Sequence, residues 1–286
     1  MNNISKISGV LTILGCGGSW GVPQINCDCP VCVSDNPKNI RTRASILLDI
    51  NGYILLIDAS PDLRTQALKN NIFDIDGIFI THDHYDHIGG LSDIKGLLTH
   101  YTRENNIIHK SIPIFMDNIT GKSLINKNNY LIASNNDLYP NFLQPQIYNA
   151  YSETNTQSFD AFNHNIAFSI IKPKITIHTM LQKHGEYFSY GIRVGNLAYC
   201  TDLTEISAQG YQILQDVEIL IIDCLRHAYA PTHLSLGQTL DVIAKVNPTK
   251  AILTHMSHEL DYDWLKNNLP ARVVPAYDGM QLEFEI

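Results

Sequence analysis

From His82 to His87 the chain sets three imidazoles and the carboxylate of Asp86 into six residues, directly after the apolar run Ile78-Phe79-Ile80 and Thr81. The pattern is H-x-H-x-D-H. His82 and His84 lie two apart, so an extended backbone presents them on one side. Asp86 and His87 follow where the chain must turn, and can face a second ion beside the first. Neutral imidazole and carboxylate suit Zn, Mn, Fe or Ni. Two such ions together can hold a hydroxide and clamp a phosphoryl or acyl group. A metal-scavenging histidine tract would be low in complexity and solvated. This one lies between a buried-looking strand and Gly89-Gly90, at the start of an expected helix.

Four ligands leave two open-sited ions incomplete, and about three more should come from strand ends further along. Asp202 ends the apolar run Leu197-Ala198-Tyr199-Cys200 and has two oxygens with which to bridge two ions; its competing role is the N-cap of a helix near Glu205. His184 is followed by Gly185, which leaves room beside it. His255 ends Ala251-Ile252-Leu253-Thr254, repeating the apolar-run, Thr, His order of Ile80-Thr81-His82. His178 falls in the alternating run Lys174–Met180 and reads as a polar-face residue, while His100, His109 and His164 read as surface or satisfied histidines.

A second constellation is Cys27-Asp28-Cys29-Pro30-Val31-Cys32, three thiols on one tight loop. A tetrahedral structural Zn needs a fourth ligand. His258, three residues beyond His255, is the choice, because it points away from whatever site His255 enters. Cys16, Cys200 and Cys224 sit in or beside apolar runs and read as small buried hydrophobes.

Elements that could position these groups alternate along the chain. Val10–Gly15, Ser45–Ile50, Tyr53–Asp58 and Gly77–Thr81 read as strands, with Asn51-Gly52 as a hairpin turn. Helices are expected over Pro61–Asn70 and Gly89–Thr102. The second half repeats the theme with strands Phe188–Val194, Leu197–Thr201, Val217–Cys224, Lys250–Thr254, Arg272–Pro275 and Met280–Ile286, and helices Glu205–Gln215 and Ser235–Val246. The Asn-rich stretch 105–151 is weakly periodic and reads as an insertion over the site. The whole, 1–286, reads as one α/β domain of two sheets sandwiched between helices.

Composition narrows the partners. No run approaches the length of a membrane span, and the N-terminus lacks a signal peptide's order of charge and apolar residues, so a cytoplasmic protein without membrane contact is expected. Six cysteines in such a compartment are not read as three disulfides. A net charge of −8 argues against nucleic-acid binding, although bound cations would still admit a small anionic substrate. A homodimer is left open.

The order T-H-D-H-Y-D-H, His184, Y-C-T-D ending at Asp202, and T-H ending at His255 resembles the metallo-β-lactamase-fold hydrolases over nearly the whole chain. That resemblance implies an αββα four-layer sandwich, a dinuclear site at one edge, and Asp58 as a carboxylate behind the histidine loop. Within the family, C-D-C-P-V-C, Arg41-Thr42-Arg43-Ala44-Ser45, Asp58-Ala59-Ser60-Pro61-Asp62 and His255-Met256-Ser257-His258 are most similar to the PhnP-like cyclic phosphodiesterases. It implies a structural Zn on Cys27, Cys29, Cys32 and His258. It also implies that His233, in Pro231-Thr232-His233-Leu234-Ser235, contacts substrate phosphate beside the metals. The cysteine motif is similar as well to the pyrroloquinoline quinone biosynthesis B proteins, which keep the fold for another task.

The expected activity is therefore hydrolysis of a small ribosyl phosphodiester, cyclic or open, at two Mn or Zn ions. Asp86 and His233 are the candidate catalytic groups, and Arg41, Arg43 and Arg226 the candidate phosphate holders or structural ion pairs. A thioesterase or lactonase keeps the same metals, and a non-catalytic carrier is the third reading. A tRNA 3′-processing nuclease ranks below these, for want of a basic arm.

Overall fold

A computed structural model describes residues 8–104, 106–132, 140–148, 167–170 and 175–286; His164 lies outside them. The first half runs β1 (Ser8–Gly15), β2 (Ser45–Ile50), β3 (Tyr53–Ile57), α1 (Leu63–Lys69), β4 (Gly77–Phe79), α2 (Tyr85–Ile88) and α3 (Ile94–Leu97). It continues through β5 (Thr99–Tyr101), β6 (Ile107–His109), β7 (Ile112–Asp117), α4 (Asn118–Lys127), α5 (Asn129–Ile132) and β8 (Leu143–Tyr148). The second half is β9 (Ala167–Ile170), β10 (Ile175–His184), β11 (Tyr187–Val194), β12 (Leu197–Cys200), β13 (Glu205–Ile206), α6 (Ala208–Ile213) and β14 (Ile219–Asp223). It closes with α7 (Leu236–Val246), β15 (Lys250–Thr254), α8 (Tyr262–Asn268), β16 (Val273–Pro275) and β17 (Gln281–Glu285).

These strands form two mixed sheets, ordered β17-β1-β2-β3-β4-β7-β8 and β13-β10-β11-β12-β14-β15-β16, with β9 also paired to β10. Successive side chains of a strand face opposite sides. Ile46 and Leu48 of β2 accordingly join one apolar cluster with Ile192 and Tyr199 of the second sheet, while Leu47 joins another with Leu63 and Ala67 of α1, Ile94 of α3 and Leu124 of α4. Helices α7 and α8 cover the second sheet through Ile243 and Leu265. Burial on both faces is why these strands read as nearly unbroken apolar runs. The architecture is the expected layered αββα sandwich.

Three segments differ from the sequence expectation. Residues 89–102 break into a short 3-10 turn, α3 and β5, because Thr99–Tyr101 pairs with Ile107–His109. Residues 205–215 begin as β13, paired to β10 through Gln182 and Lys183, and turn helical only after the Ser207 side chain accepts from Gly210 N. The described parts of 105–151 supply β7 and β8, which extend the first sheet from β4, and α4, whose N-terminus Asp117 caps by accepting from Ile119 N and Thr120 N.

Parallel pairing gives the molecule one functional edge. β3 pairs parallel with β4, and β12, β14, β15 and β16 run parallel in the second sheet. Their carboxyl ends release Asp58, the His82–His87 loop, Asp202, the Asp223–His233 loop and His255 together, where open α/β sheets bind ligands.

Candidate metal centres

The histidine loop is fixed from behind by Asp58. This residue sits just past β3 at φ 62°, in the left-handed region that Asp tolerates better than most side chains. Its carboxylate accepts from Thr81 N at 2.8 Å and from the Thr81 hydroxyl, and lies 2.6 Å from His87 Nδ1. Gly90 completes the turn because any Cβ there would strike the Ser60 carbonyl. The far nitrogens of the other imidazoles are held similarly: His82 Nδ1 is 3.0 Å from the Thr81 hydroxyl, and His184 Nδ1 donates to Thr232 O at 2.6 Å. Such contacts fix the tautomer and aim the opposite nitrogen.

Those opposite nitrogens converge in two quartets that share Asp202. His82, His84 and His184 gather about Asp202 Oδ2; Asp86, His87 and His255 gather about Asp202 Oδ1. His82 Nε2 and His184 Nε2 are each 3.8 Å from Oδ2, and His84 Nδ1 is 3.3 Å from His184 Nε2. On the other side His87 Nε2 is 3.2 Å and His255 Nε2 3.4 Å from Oδ1, with Asp86 Oδ2 3.4 and 3.5 Å from those same nitrogens. Four donors held about 2.0–2.2 Å from a tetrahedral metal stand about 3.3–3.6 Å apart, so the spacing fits one ion per quartet. His82 Nε2 and His87 Nε2 are buried without a hydrogen-bond partner, as nitrogens aimed at a cation would be.

Electrostatics gives the same answer. Asp58, Asp86, Asp202 and Asp223 are all buried, and among the described residues no Lys or Arg lies within ion-pair distance of any of them. Burial alone would lower the His87 imidazole, but Asp202, Asp58 and Asp86 crowd it and hold it well above its ordinary value. Asp202, although buried, is held well below the usual carboxylate range by His255 and His87. Four buried carboxylates whose only ion-pair partners among the described residues are imidazoles form an anionic hole that divalent cations would neutralise.

Some 230 residues apart in sequence, Cys27 and His258 make the other centre: His258 Nδ1 lies 3.2, 3.3 and 3.7 Å from the sulfurs of Cys27, Cys29 and Cys32. Burial acts to raise the Cys29 thiol, yet hydrogen bonds from the Cys32 backbone, Cys27 and His258 bring it down to about 6. Its neighbour Cys32 moves the other way, up to about 11, through burial and the nearby Cys27 and Cys29 sulfurs, so the loop alone favours one thiolate and a soft cation would be needed to hold three. The residues thus provide buried His/Asp clusters fit for a dinuclear site, together with a separate Cys3His group.

Comparison with known proteins agrees with this arrangement. Residues 53–256 match the model of the beta-lactamase superfamily domain. The crystal structure of a new diphosphatase from the PhnP family superposes with a TM-score of 0.83 at 32% identity, covering 98% of this chain and 99% of that one. The chain belongs to the PhnP family of the metallo-β-lactamase superfamily. An octanoyltransferase of Porphyromonas gingivalis is 28% identical over 273 residues, 94% of this chain but only 50% of that protein. A coenzyme PQQ synthesis protein B of Rhodopseudomonas palustris is 37% identical over 98 residues, 29% of this chain and 31% of its own length. This chain therefore spans half or less of the curated relatives it matches.

Around the PhnP-family cluster the three candidate arginines separate. Arg41 is buried and donates to Ser257 O, Leu260 O and Asn39, so it ties down the segment that carries His258. Arg43 is bound to Asp62 at 2.8 Å. Only Arg226 lines a cavity beside the cluster. His233 sits at the edge of that cavity, with Nε2 4.0 Å from Asp202 Oδ2. The competing capping role falls to Ser207 instead of Asp202. His178 is exposed on β10, His100 and His109 are exposed, and Cys16, Cys200 and Cys224 are fully buried.

One functional carboxylate escaped the sequence reading. Asp223, the last residue of β14, lies 3.3 Å from His233 Nδ1 and 3.5 Å from His255 Nδ1. Burial lowers the His233 imidazole, but Asp223 outweighs it and pushes the group up to about 9. The available signal was the repeat of an apolar strand closed by Asp: Ile54-Leu55-Leu56-Ile57-Asp58 and Ile219-Leu220-Ile221-Ile222-Asp223.

Proposed function

We propose that this chain is a dinuclear metal-dependent phosphohydrolase that cleaves a small anionic phosphodiester or diphosphate, with residues 1–286 acting as one hydrolase domain. The observation that carries this reading is the sharing of Asp202 between two quartets, one oxygen to each. His82, His84 and His184 would hold one ion, Asp86, His87 and His255 the other, and Asp202 would set their separation. Mn and Zn both match the donor set. When bound, the two ions supply Lewis acidity and activated water near neutral pH.

The chain's own groups do the rest. Asp58, Thr232 O and Asp223 lock the imidazoles so that their free nitrogens stay aimed without reorganisation. His233 flanks the cluster, and with Asp223 accepting its Nδ1 proton, its Nε2 proton is the one offered to a leaving oxygen. Cys27, Cys29, Cys32 and His258 would hold a structural Zn that fastens the N-terminal loop beside the last catalytic strand. Support for phosphorus over carbon comes from the PhnP-family diphosphatase, similar over the full length of both chains.

A second reading, hydrolysis of an acyl ester or thioester, is favoured by one observation: the similar protein of twice this length is an octanoyltransferase. The Mn- or Zn-reconstituted protein should be assayed on a ribose 1,2-cyclic phosphate, a nucleotide diphosphate ester and an octanoyl thioester side by side. Turnover of either phosphoester above the thioester is expected. Thioester turnover alone would replace the phosphohydrolase reading with the acyl one.

A further inference from the structure

Beside the cluster lies a cavity of about 360 Å³ whose walls include Trp20, Gln24, Arg226, His233 and Glu259. Apart from His233, Thr232 and the Cys3His ligand His258, its lining residues take no part in the hydrolytic apparatus. Trp20 is 73% exposed, and among the described residues no ring or cation packs on its indole. Trp20 therefore presents a free aromatic face on the wall of this cavity.

The loop that presents Trp20 is not loose. Gly18 N donates to Met256 O, Gly21 N to Gly18 O, and Val22 N to Arg41 O. A Cβ on Gly18 would come within 3.1 Å of Leu225 and 3.5 Å of the His255 ring, so this backbone lies directly against a cluster histidine. The backbone that carries Trp20 is therefore held beside the reaction centre. Opposite it, Arg226 donates to Tyr229 O, stands 3.7 Å from Glu259, and keeps a buried Nε with no partner. Its planar fork lines the cavity, and a guanidinium so placed can receive an anion.

The other side of the cluster is opposite in character. A smaller cavity of about 200 Å³ there is lined by Asp83, Asp117, Glu186 and Tyr187. Among the described residues no Lys or Arg lines that side, whereas the Trp20 side holds Arg226 beside a single carboxylate, Glu259, so the Arg226 side is the one that offers a cation to an anionic substrate.

We propose that the Trp20–Arg226 cavity is the subsite for the non-scissile part of the substrate, that this part is a nucleotide, and that its base stacks on Trp20 while its phosphate meets Arg226. Any base offers a π-face to an indole, so the subsite selects for a base without selecting which one. The proposal rests on the phosphohydrolase reading and adds the substrate class to it.

The test uses Trp20 as its own probe. The chain has two tryptophans, and the other, Trp264, packs edge-on to His227; Trp264→Phe leaves Trp20 as the sole tryptophan emitter. AMP, which offers no diester bond to cleave, is titrated into the metal-loaded variant, with ribose 5-phosphate as the base-free control. Saturable quenching by AMP and none by ribose 5-phosphate is expected, with Arg226→Ala weakening AMP binding by about tenfold. In steady-state kinetics on a nucleotide phosphodiester, Trp20→Ala should raise KM more than it lowers kcat. No saturable quenching by millimolar AMP, or equal quenching by ribose 5-phosphate, overturns the subsite. AMP binding in a protein that hydrolyses no phosphoester sinks the phosphohydrolase reading and leaves the subsite; phosphoester turnover without an AMP response does the reverse.

Discussion

Two carboxylates stand behind the cluster, one from each half of the chain, and each grips imidazoles by their far nitrogens. Asp58 holds His87, and Asp223 holds His233 and stands 3.5 Å from His255 Nδ1. His255 itself adopts φ 56°, a left-handed backbone that costs a non-glycine residue on the order of 1–3 kcal/mol and persists only where the surroundings over-determine it. Asp223 and His233 should fail differently when altered. Asp223→Asn frees His255 as well as His233, and loss of a partner behind a metal ligand costs about 10–100-fold in metal affinity or activity. His233→Ala should keep its metal and lose about 10²–10⁴-fold in turnover of substrates with poor leaving groups. Metal content by elemental analysis, with kcat on alkyl and p-nitrophenyl phosphodiesters, separates the two; equal metal loss in both would remove His233 from the proton-donor role. The sequence made the local part of this site readable, because H-x-H-x-D-H packs its chemistry into one turn. Asp223 was not readable in the same way. A lone Asp after an apolar strand has many uses, and only the sheet order brings it behind two histidines from elsewhere.

Among the elements, the loop Cys27–Cys32 depends on partners more than 200 residues away. His258 reaches its three sulfurs, and Arg41 pins the chain on both sides of His258 through Ser257 O and Leu260 O. Arg41→Ala would leave buried carbonyls unpaired, at about 1–3 kcal/mol for each such group. Lower stability in urea is expected, together with faster loss of one metal equivalent per chain to a chelator while the other two remain. Retention of all three equivalents at wild-type rates would show that Arg41 does not support the Cys3His group. Where the sequence showed elements well, it did so through burial on both faces: β2 and β15 appear at the limits their apolar runs suggest. It showed α4 poorly, since Asn118-Ile119-Thr120-Gly121 carries weak helix formers and the helix is started by the Asp117 cap. Residues 89–102 have enough apolar spacing for a helix, and pairing with β6 overrides it in the last turn.

At the scale of the molecule, the two sheets meet through aromatic residues as well as through aliphatic packing. Phe79 of β4 stacks on Tyr148 of β8 at 6.4 Å, Tyr148 packs edge-on to Tyr190 of β11 at 5.6 Å, and Tyr190 N donates to Thr81 O at the head of the histidine loop. The Tyr148 hydroxyl is buried and unpaired. Burial pushes the Tyr148 and Tyr199 phenols well above their ordinary value, and does the same to Tyr190, with Asp117 adding to the shift. Tyr53, at the edge of the first sheet, is raised to about 12 by burial and by Asp76. A phenol whose folded value lies above its unfolded one, about 10, contributes stability that is whole below pH 10 and lost as pH rises through the folded value. Stability in urea should therefore hold up to about pH 10 and decline above it. In a spectrophotometric titration at 295 nm the exposed tyrosines should ionise first. The inter-sheet set should follow only as near-ultraviolet circular dichroism collapses, because a phenolate between the sheets has no counter-charge. If all tyrosines ionised near pH 10 with the dichroism intact, the sheets would have to admit water between them, and the dry aromatic bridge behind the histidine loop would be disproved.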